Sequence, residues 1–147
     1  MTEIAFHFNL LNKMAYACRL VRKAYGRGQA VGVLAPADAL HELDQQLWTF
    51  SALDFVPHCL SDAPRAVVTA SPVVLTSDCA GLDSSELLVH VGLPLPSGFE
   101  RFKRLIELVG TEANDRTEAR KRWRYYTERG YTVRSFDLAE RNTRRAQ

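Results

Sequence analysis

Residues 30–47 read AVGVLAPADALHELDQQL, and this stretch decides the fold class. Residues 30–34 are almost continuously apolar, which is typical of a strand that is buried on both faces of a parallel sheet. Pro36 and Asp38 then begin a helix, and the leucines that follow them recur at helical spacing. A buried strand that leads directly into an amphipathic helix indicates a βαβ unit.

The rest of the N-terminal half repeats this alternation of strand and helix. An apolar and aromatic run at residues 4–8 predicts the first strand, and helical spacing predicts a helix over 13–25 that ends at Gly26. Two more buried strands are predicted at 72–76 (PVVLT) and 87–91 (LLVHV). We therefore expect an α/β fold with a mostly parallel central sheet flanked by helices, in a Rossmann-like, mononucleotide-binding-like topology.

The C-terminal part of the chain predicts two helices and a last strand. Residues 97–100 (SGFE) match a capping box, and apolar residues after it share one face of the helix that it would begin. A second helix is predicted from a cap at Asn114 or Asp115 to a glycine at position 130, which suits a left-handed stop. A final strand is predicted over 131–138.

The 147 residues are about the length of one domain, and neither a linker nor an internal repeat interrupts them. We expect residues 1–138 to form that domain and the basic tail 139–147 to be flexible. No apolar run approaches the roughly 18–20 residues that span a bilayer, and the N-terminus lacks the pattern of a secretory signal. The three cysteines are widely spaced, which disfavours a disulfide framework and suits the cytoplasm.

Positive charge is concentrated in the C-terminal third, although the net charge is only +2. Residues 1–100 carry six Lys and Arg against ten Asp and Glu, whereas residues 101–147 carry thirteen against seven. An anionic partner is therefore expected to dock near the C-terminus, although a solvated basic helix would show the same bias.

No motif for catalysis, a cofactor or a metal stands out. The glycines of GRGQAVG (26–32) follow a helix and precede a strand, whereas a phosphate-binding loop runs from a strand to a helix. The four histidines and three cysteines lack the spacing of a zinc site, and no triad order is evident. The residues therefore give no positive case for catalysis, and they predict neither a phosphate loop nor a cofactor or metal site.

Aromatic and basic side chains occur together on the predicted last helix. Arg116, Arg120 and Trp123 share a face, and Arg124 and Tyr126 flank it. This combination suits an anionic peptide with an aromatic residue, or a single-stranded nucleic acid whose bases stack on Trp123. The alternative is that Trp123 and Tyr126 pack inward, and for either residue alone this alternative is favoured.

Residues 44–60 (DQQLWTFSALDFVPHCL) surround a chain connection with aromatic residues, where polar turn residues are usual. Trp48 lies about 100° around the helix from the core residue Leu47. Trp48 is therefore expected at the boundary of the buried face, where it would help to wall a surface pocket.

Ordered blocks of residues along the whole chain match one known family. They include AYACRLVRKAYGRGQAVGVLAP, LDQQLW followed by FVPH, SPVVLT, LLVHVGLPLP, FERFKRLIELV and EARKRWRYYTERGYTVRSFDL. The combination of LDxxLW…FVPH with ARxRWxxYxxxGY is the most specific part. The chain thus resembles the chi subunit of bacterial DNA polymerase III, with the weakest match over 61–86 and after Leu138.

The resemblance implies a parallel α/β fold, no catalytic activity of its own, and a role in DNA replication. Chi-like proteins pair with a small psi subunit, which tethers them to the clamp loader of the polymerase holoenzyme. They also bind the acidic C-terminal tail of the single-stranded-DNA-binding protein, so that their contact with DNA is indirect. A repair helicase is a further candidate partner.

The resemblance also implies which residues make these contacts. The tail-binding positions fall on Val109, Arg120 and Trp123, with Trp48 expected beside them. The neighbouring Arg116 and Arg124 complete the predicted tail-binding set. The predicted psi-binding segment consists of Phe55, Val56, Pro57 and His58.

Two rival functions follow from the residues alone. Direct binding of single-stranded nucleic acid by the basic C-terminal helix would depend steeply on salt, and the modest net charge speaks against strong binding. A nucleotide-dependent enzyme on a Rossmann-like sheet would require a phosphate loop, which the chain lacks.

Overall fold

The computed structural model describes residues 2–49, 56–79, 82, 86–92 and 95–139. Its strands are β1 (Glu3–Leu10), β2 (Val31–Leu34), β3 (Cys59–Leu60), β4 (Val73–Thr76), β5 (Leu87–His90), β6 (Arg104–Gly110) and β7 (Val133–Asp137). Its helices are α1 (Lys13–Gly26), α2 (Ala37–Thr49), α3 (Arg65–Ala70) and α4 (Ala113–Glu128).

The strands form one seven-stranded sheet in the order β3-β4-β2-β5-β6-β1-β7, and every pairing is parallel. This arrangement confirms the predicted α/β fold with a parallel central sheet. The N-terminal strand lies between two strands from the C-terminal part of the chain. Glu3 is paired with Arg104 of β6, and Ile4 is paired with Val133 of β7.

Helices cover both faces of this sheet. α1 and α2 pack on one face, where Ala17 and Leu43 join a core of strand residues. α3 and α4 pack on the other face, where Val68 and Tyr126 join a second core. Since crossovers between parallel strands are right-handed, strand order decides which helix covers which face. The face under α4 carries the candidate site.

Several local predictions are confirmed. α1 begins at Lys13, and the Asn12 side chain caps it by accepting a hydrogen bond from the amide of Ala15 at 3.0 Å. It ends at Gly26 and a turn follows at Gly28 (φ +77°), as expected, whereas Gly32 lies within β2. Gly130 follows α4 with φ +82°, the left-handed conformation that favours glycine.

Residues 97–110 do not form the predicted helix. Gly98 adopts φ +86°, no side chain caps the segment, and only one 3₁₀ turn (Phe99–Arg101) precedes β6. Each of residues 105–109 is at most 3% exposed, because β6 is bordered by two strands and covered on both faces. Because residues 105–109 are all buried, the spacing of their apolar side chains does not distinguish a helix from a strand.

Three smaller differences concern element bounds. α4 begins at Ala113, with Glu112 as its cap, rather than after Asn114 or Asp115. The sequence predicted neither the two-residue strand β3 nor the short helix α3. Of the predicted flexible tail, residues 140–147 lie outside the described residues.

Candidate functional site

An open pocket of about 490 Å³ lies between α4 and the sheet, close to the edge formed by β7. Strands contribute its floor and α4 contributes its wall. The lining residues are Phe6, Phe8 and Asn9 of β1, Val109 of β6, Ser135 of β7, and Arg116, Ala119, Arg120 and Trp123 of α4.

Side-chain size explains why α4 does not close onto the sheet here. Ala119 on the helix and Ser135 on β7 are both small, so neither fills the space between the two elements. Phe6 is buried, and its ring lies 5.2 Å from the Trp123 ring at an angle of 57°. This contact holds the partly buried Trp123 ring at the wall, and the pocket is apolar inside as a result.

Two arginines supply positive charge to the pocket. The Arg116 guanidinium donates a hydrogen bond to the side-chain oxygen of Asn9, and the Asn9 amide donates to Asp137 at 2.8 Å. The hydrogen bond from Asn9 holds the pKa of the Asp137 carboxyl below its ordinary value. Arg120 is exposed, and no hydrogen bond or ion pair joins it to any other described residue. Its charge is therefore available to an anion.

A buried carboxylate fixes the position of α4 on the sheet. Glu107 of β6 is fully buried and accepts hydrogen bonds from the Nε of Arg122 at 3.0 Å and from the hydroxyl of Tyr126 at 2.7 Å. Its other oxygen contacts the Nδ1 of His90 on β5. Arg122 and Tyr126 both lie on α4, so these bonds set the helix against β6 and thereby set the width of the pocket.

The surroundings of Glu107 keep it ionised. Burial alone would raise its pKa, but the neighbouring His90, the Arg122 guanidinium and the hydrogen bond from Tyr126 together hold the pKa below its ordinary value. Burial and the adjacent carboxylate raise the pKa of Tyr126, so this hydroxyl stays protonated and donates. The sequence did not reveal this cluster, since it assigned Glu107 to a helix.

The structure brings four of the six predicted tail-binding residues to one pocket: Val109, Arg116, Arg120 and Trp123. Arg124 is exposed on the same helix but does not line the pocket.

Trp48 does not adjoin this pocket, contrary to expectation. Its ring packs on the His58 ring at 4.5 Å, and α2 contacts β3 and β4 at the opposite end of the sheet from β7.

The predicted psi-binding segment is mostly turned inward where the structure describes it. Val56 is 2% exposed and belongs to the core, and His58 is 8% exposed. The His58 ring bonds to the carbonyl of Val56 at 2.8 Å and to the Asp44 carboxylate at 3.0 Å. Pro57 is partly exposed. Phe55 lies outside the described residues, so its predicted contact is not addressed.

Sequence reasoning missed Phe6, Phe8, Asn9 and Ser135, which form the strand side of the pocket. The alternation Phe6, Phe8 along β1 was a usable signal, because residues two apart in a strand share a face. The sequence contains no comparable signal for Ser135 and Asn9, because their positions at the pocket depend on the pairing of β7 with β1.

A second, polar crevice of about 460 Å³ opens at the carboxyl ends of β1 and β6. In open α/β sheets, ligands usually bind at such ends. Here a bond between Lys13 Nζ and Asp115 Oδ2, 2.9 Å long, spans the crevice, and the same carboxylate oxygen accepts from the Gly110 amide at 2.7 Å. The chain's own ion pair thus lies at the sheet edge where ligands of such folds usually bind.

Two absences concern only the described part of the chain. None of its helices is long and apolar enough to cross a membrane. None of its groups of His, Cys, Asp and Glu side chains is placed to hold a metal ion.

The fold of this chain is similar to that of solved structures that include the following two. A yeast (S. cerevisiae) Dbp5 complex with Nup159 and Gle1 matches with a TM-score of 0.65 at 11% identity over 94% of this chain, which spans only 42% of that protein. The E. coli complex of the DEAD-box protein SrmB with RraA matches with a TM-score of 0.59 at 12% identity, covering 92% of this chain and 90% of the other. At such identities the likeness concerns the fold alone.

Sequence comparisons are more specific. The family model for "DNA polymerase III chi subunit, HolC" matches residues 1–134. The DNA polymerase III subunit chi of Pseudomonas aeruginosa is 32% identical over 127 residues, covering 86% of this chain and 87% of the relative. Its counterpart in Haemophilus influenzae is 26% identical over 119 residues, covering 80% and 81%. The chain therefore belongs to the chi subunit family of DNA polymerase III, an accessory subunit of the replicative polymerase.

Proposed function

We propose that the chain is a non-catalytic adaptor that acts in the cytoplasm during DNA replication. It links the clamp loader, through a psi subunit, to the acidic C-terminal tail of the single-stranded-DNA-binding protein. The observation that carries the proposal is the exposed Arg120 at the mouth of an apolar pocket. An acidic peptide with an apolar end and a free carboxylate needs this pairing of a guanidinium with an apolar cavity.

In the proposed complex the last side chain of the tail enters the pocket between Val109 and Trp123. Arg120 pairs with the terminal carboxylate or with the acidic side chains before it. Arg116 adds a second positive charge, and its bond to Asn9 holds it at the pocket. Because Glu107 already fixes α4 against β6, binding does not have to order the helix.

The test is a fluorescence-polarisation titration with a labelled peptide that carries several acidic residues, a C-terminal phenylalanine and a free carboxylate. Arg120→Ala is expected to weaken binding by about 1–3 kcal/mol and to reduce its salt dependence. Arg124→Ala is the matched control, since it removes the same charge from the same helix outside the pocket. Equal affinities for Arg120→Ala and the unmodified protein would refute the assignment, as would equal binding of the C-terminally amidated peptide.

The proposed psi-binding surface lies at the other end of the sheet. The exposed Trp48 (50%) and the partly exposed Pro57 mark this surface, and the resemblance assigns Phe55 to the same contact. Phe55→Ala should abolish copurification with co-expressed psi while leaving the affinity for the tail peptide unchanged. Val67→Ala serves as the control, because Val67 is an exposed apolar residue on α3. Retained copurification of psi by Phe55→Ala would remove this segment from the interface.

A further inference from the structure

No described residue covers one face of the edge strand β7. Four of its five residues are exposed, and Phe136 is 47% exposed although it is a large apolar side chain. Arg134 and Phe136 are two residues apart, so they point to the same side of the sheet. Phe136 is paired with His7, and their rings are in contact. The His7 ring also contacts Tyr16 of α1, so this is the side of the sheet that α1 covers.

Aromatic rings continue from Phe136 to α1. The Phe136 and His7 rings lie 5.2 Å apart at 73°, and the His7 and Tyr16 rings lie 5.6 Å apart at 75°. The Nδ1 of His7 also bonds to the Tyr16 hydroxyl. The Arg19 guanidinium lies 6.0 Å from the centre of the Tyr16 ring. We call this row of four residues, together with Arg134, the edge platform.

The charges around the edge platform are almost all positive. α1 carries two lysines and two arginines and no acidic residue, and of these Lys13 is paired with Asp115. Arg134 is exposed, and no bond to another described side chain neutralises it. Glu3 lies on the same side of the sheet but at the other end of β1, about 13 Å from His7 along the strand. Asp137 points to the opposite side, where Asn9 binds it.

We propose that the edge platform binds single-stranded nucleic acid. Every base has a face that stacks on an exposed ring such as Phe136, and arginines pair with the phosphates on either side. An acidic peptide without an aromatic residue would use the charges but would gain little from the ring, and a duplex keeps its base faces stacked internally. The platform lies on the opposite side of the sheet from the α4 pocket. The protein can therefore bind a tail peptide and a nucleic-acid strand at the same time.

This placement differs from binding by the C-terminal helix. On α4 the Trp123 ring is partly buried against Phe6, which leaves less of its face for a base. The basic residues of α4 and those of the edge platform also face different layers of the fold. Variants on each side therefore separate the two surfaces.

The experiment measures fluorescence anisotropy of a labelled oligothymidylate of about 15 nucleotides with the full chain, from about 50 to 200 mM salt. Phe136→Leu keeps an apolar side chain but removes the ring, and it should weaken binding about fivefold or more. Arg134→Gln should weaken binding. It should also make the fall of log K with log salt concentration less steep, by about 0.7 in the slope. Arg124→Gln removes one charge from α4 and should leave the affinity close to that of the unmodified chain.

Four results would overturn the proposal. These are no binding at the lowest salt, equal affinity of Phe136→Leu and the unmodified chain, a loss confined to Arg124→Gln, or equal binding of a duplex of the same length. A labelled polyglutamate peptide provides the remaining arm. If it binds more tightly than the oligonucleotide and loses affinity in Arg134→Gln, the surface accepts an acidic protein segment and the proposal is wrong.

Discussion

Removing the Tyr126 hydroxyl tests whether the buried carboxylate holds α4 in place. Tyr126→Phe keeps the ring, which is fully buried against Phe99 and Phe6, and deletes only the 2.7 Å hydrogen bond to Glu107. A hydrogen bond to a charged group contributes about 1.5–3 kcal/mol. Because Arg122 and His90 still contact the carboxylate, we expect a loss near the middle of that range, about 2 kcal/mol.

The assay is urea denaturation followed by circular dichroism. A loss of about 2 kcal/mol lowers the midpoint by roughly 1 M at a typical urea dependence, and it lowers the melting temperature by about 4–8 °C for a chain of this size. Tyr131→Phe is the control, since the Tyr131 ring also packs on Phe99 but its hydroxyl makes no hydrogen bond to another described residue. A Tyr126→Phe variant within about 0.5 kcal/mol of the unmodified chain would refute the reasoning.

The pH dependence gives an independent check on the same bond. The native pKa of Glu107 lies below its unfolded value, so its stabilisation is complete above the unfolded pKa and is lost as the pH falls through the native pKa. Tyr126→Phe removes one cause of the lowered pKa, so its acid loss should begin at higher pH. A constant difference between variant and unmodified chain from about pH 7 to about pH 3 would contradict this account.

Three further outcomes are expected. Glu107→Gln should flatten the decline in the free energy of unfolding below about pH 5, because protonation of the Glu107 carboxylate contributes to that decline. If urea titrations at several pH values show the same decline in the variant as in the unmodified chain, Glu107 does not contribute to it. Ser135→Phe should fill the floor of the pocket and weaken tail-peptide binding at least tenfold without loss of folding, and undiminished polarisation binding would show that the peptide lies elsewhere. With a thiol reagent at about pH 8, partly exposed Cys59 should react first and Cys18 slowly, since burial raises the pKa of the Cys18 thiol to about 11; equal rates would contradict this order.

The sequence predicted the elements whose burial differs clearly from that of their neighbours. β2 and β5 are short apolar runs buried on both faces, and the stripe of α1 faces the core as its spacing indicated. β6 was misassigned because a continuously apolar run satisfies helical and strand periodicity equally. Glu107 is a charged residue within that run, and its partners lie 15 to 19 residues away on β5 and α4, so no local pattern pairs them.

From residue spacing alone the candidate site was predictable only on its helical side, and Val109 of β6 was assigned to it through the resemblance. Arg116, Arg120 and Trp123 share a face by spacing alone, so local geometry was enough to group them. The strand side needed the order of the sheet, which places β7 next to β1 and brings Ser135 to the pocket floor. Trp48 illustrates the same limit, because its helix position was foreseen but its distance from α4 depends on strand order.

The position of β1 between β6 and β7 has a consequence for how the protein is made. Glu3 of β1 is paired with Arg104 of β6. The first strand therefore leaves the ribosome about a hundred residues before the strands that flank it are synthesised. At roughly 5–20 residues per second, that interval lasts on the order of 5–20 seconds. During this interval the aromatic face of β1 lacks the elements that cover it in the folded protein. The pocket formed by β1, β6, β7 and α4 is therefore the last part of the molecule to assemble. Synthesis that stops before residue 133 therefore leaves the protein without the pocket that we propose as the tail-binding site.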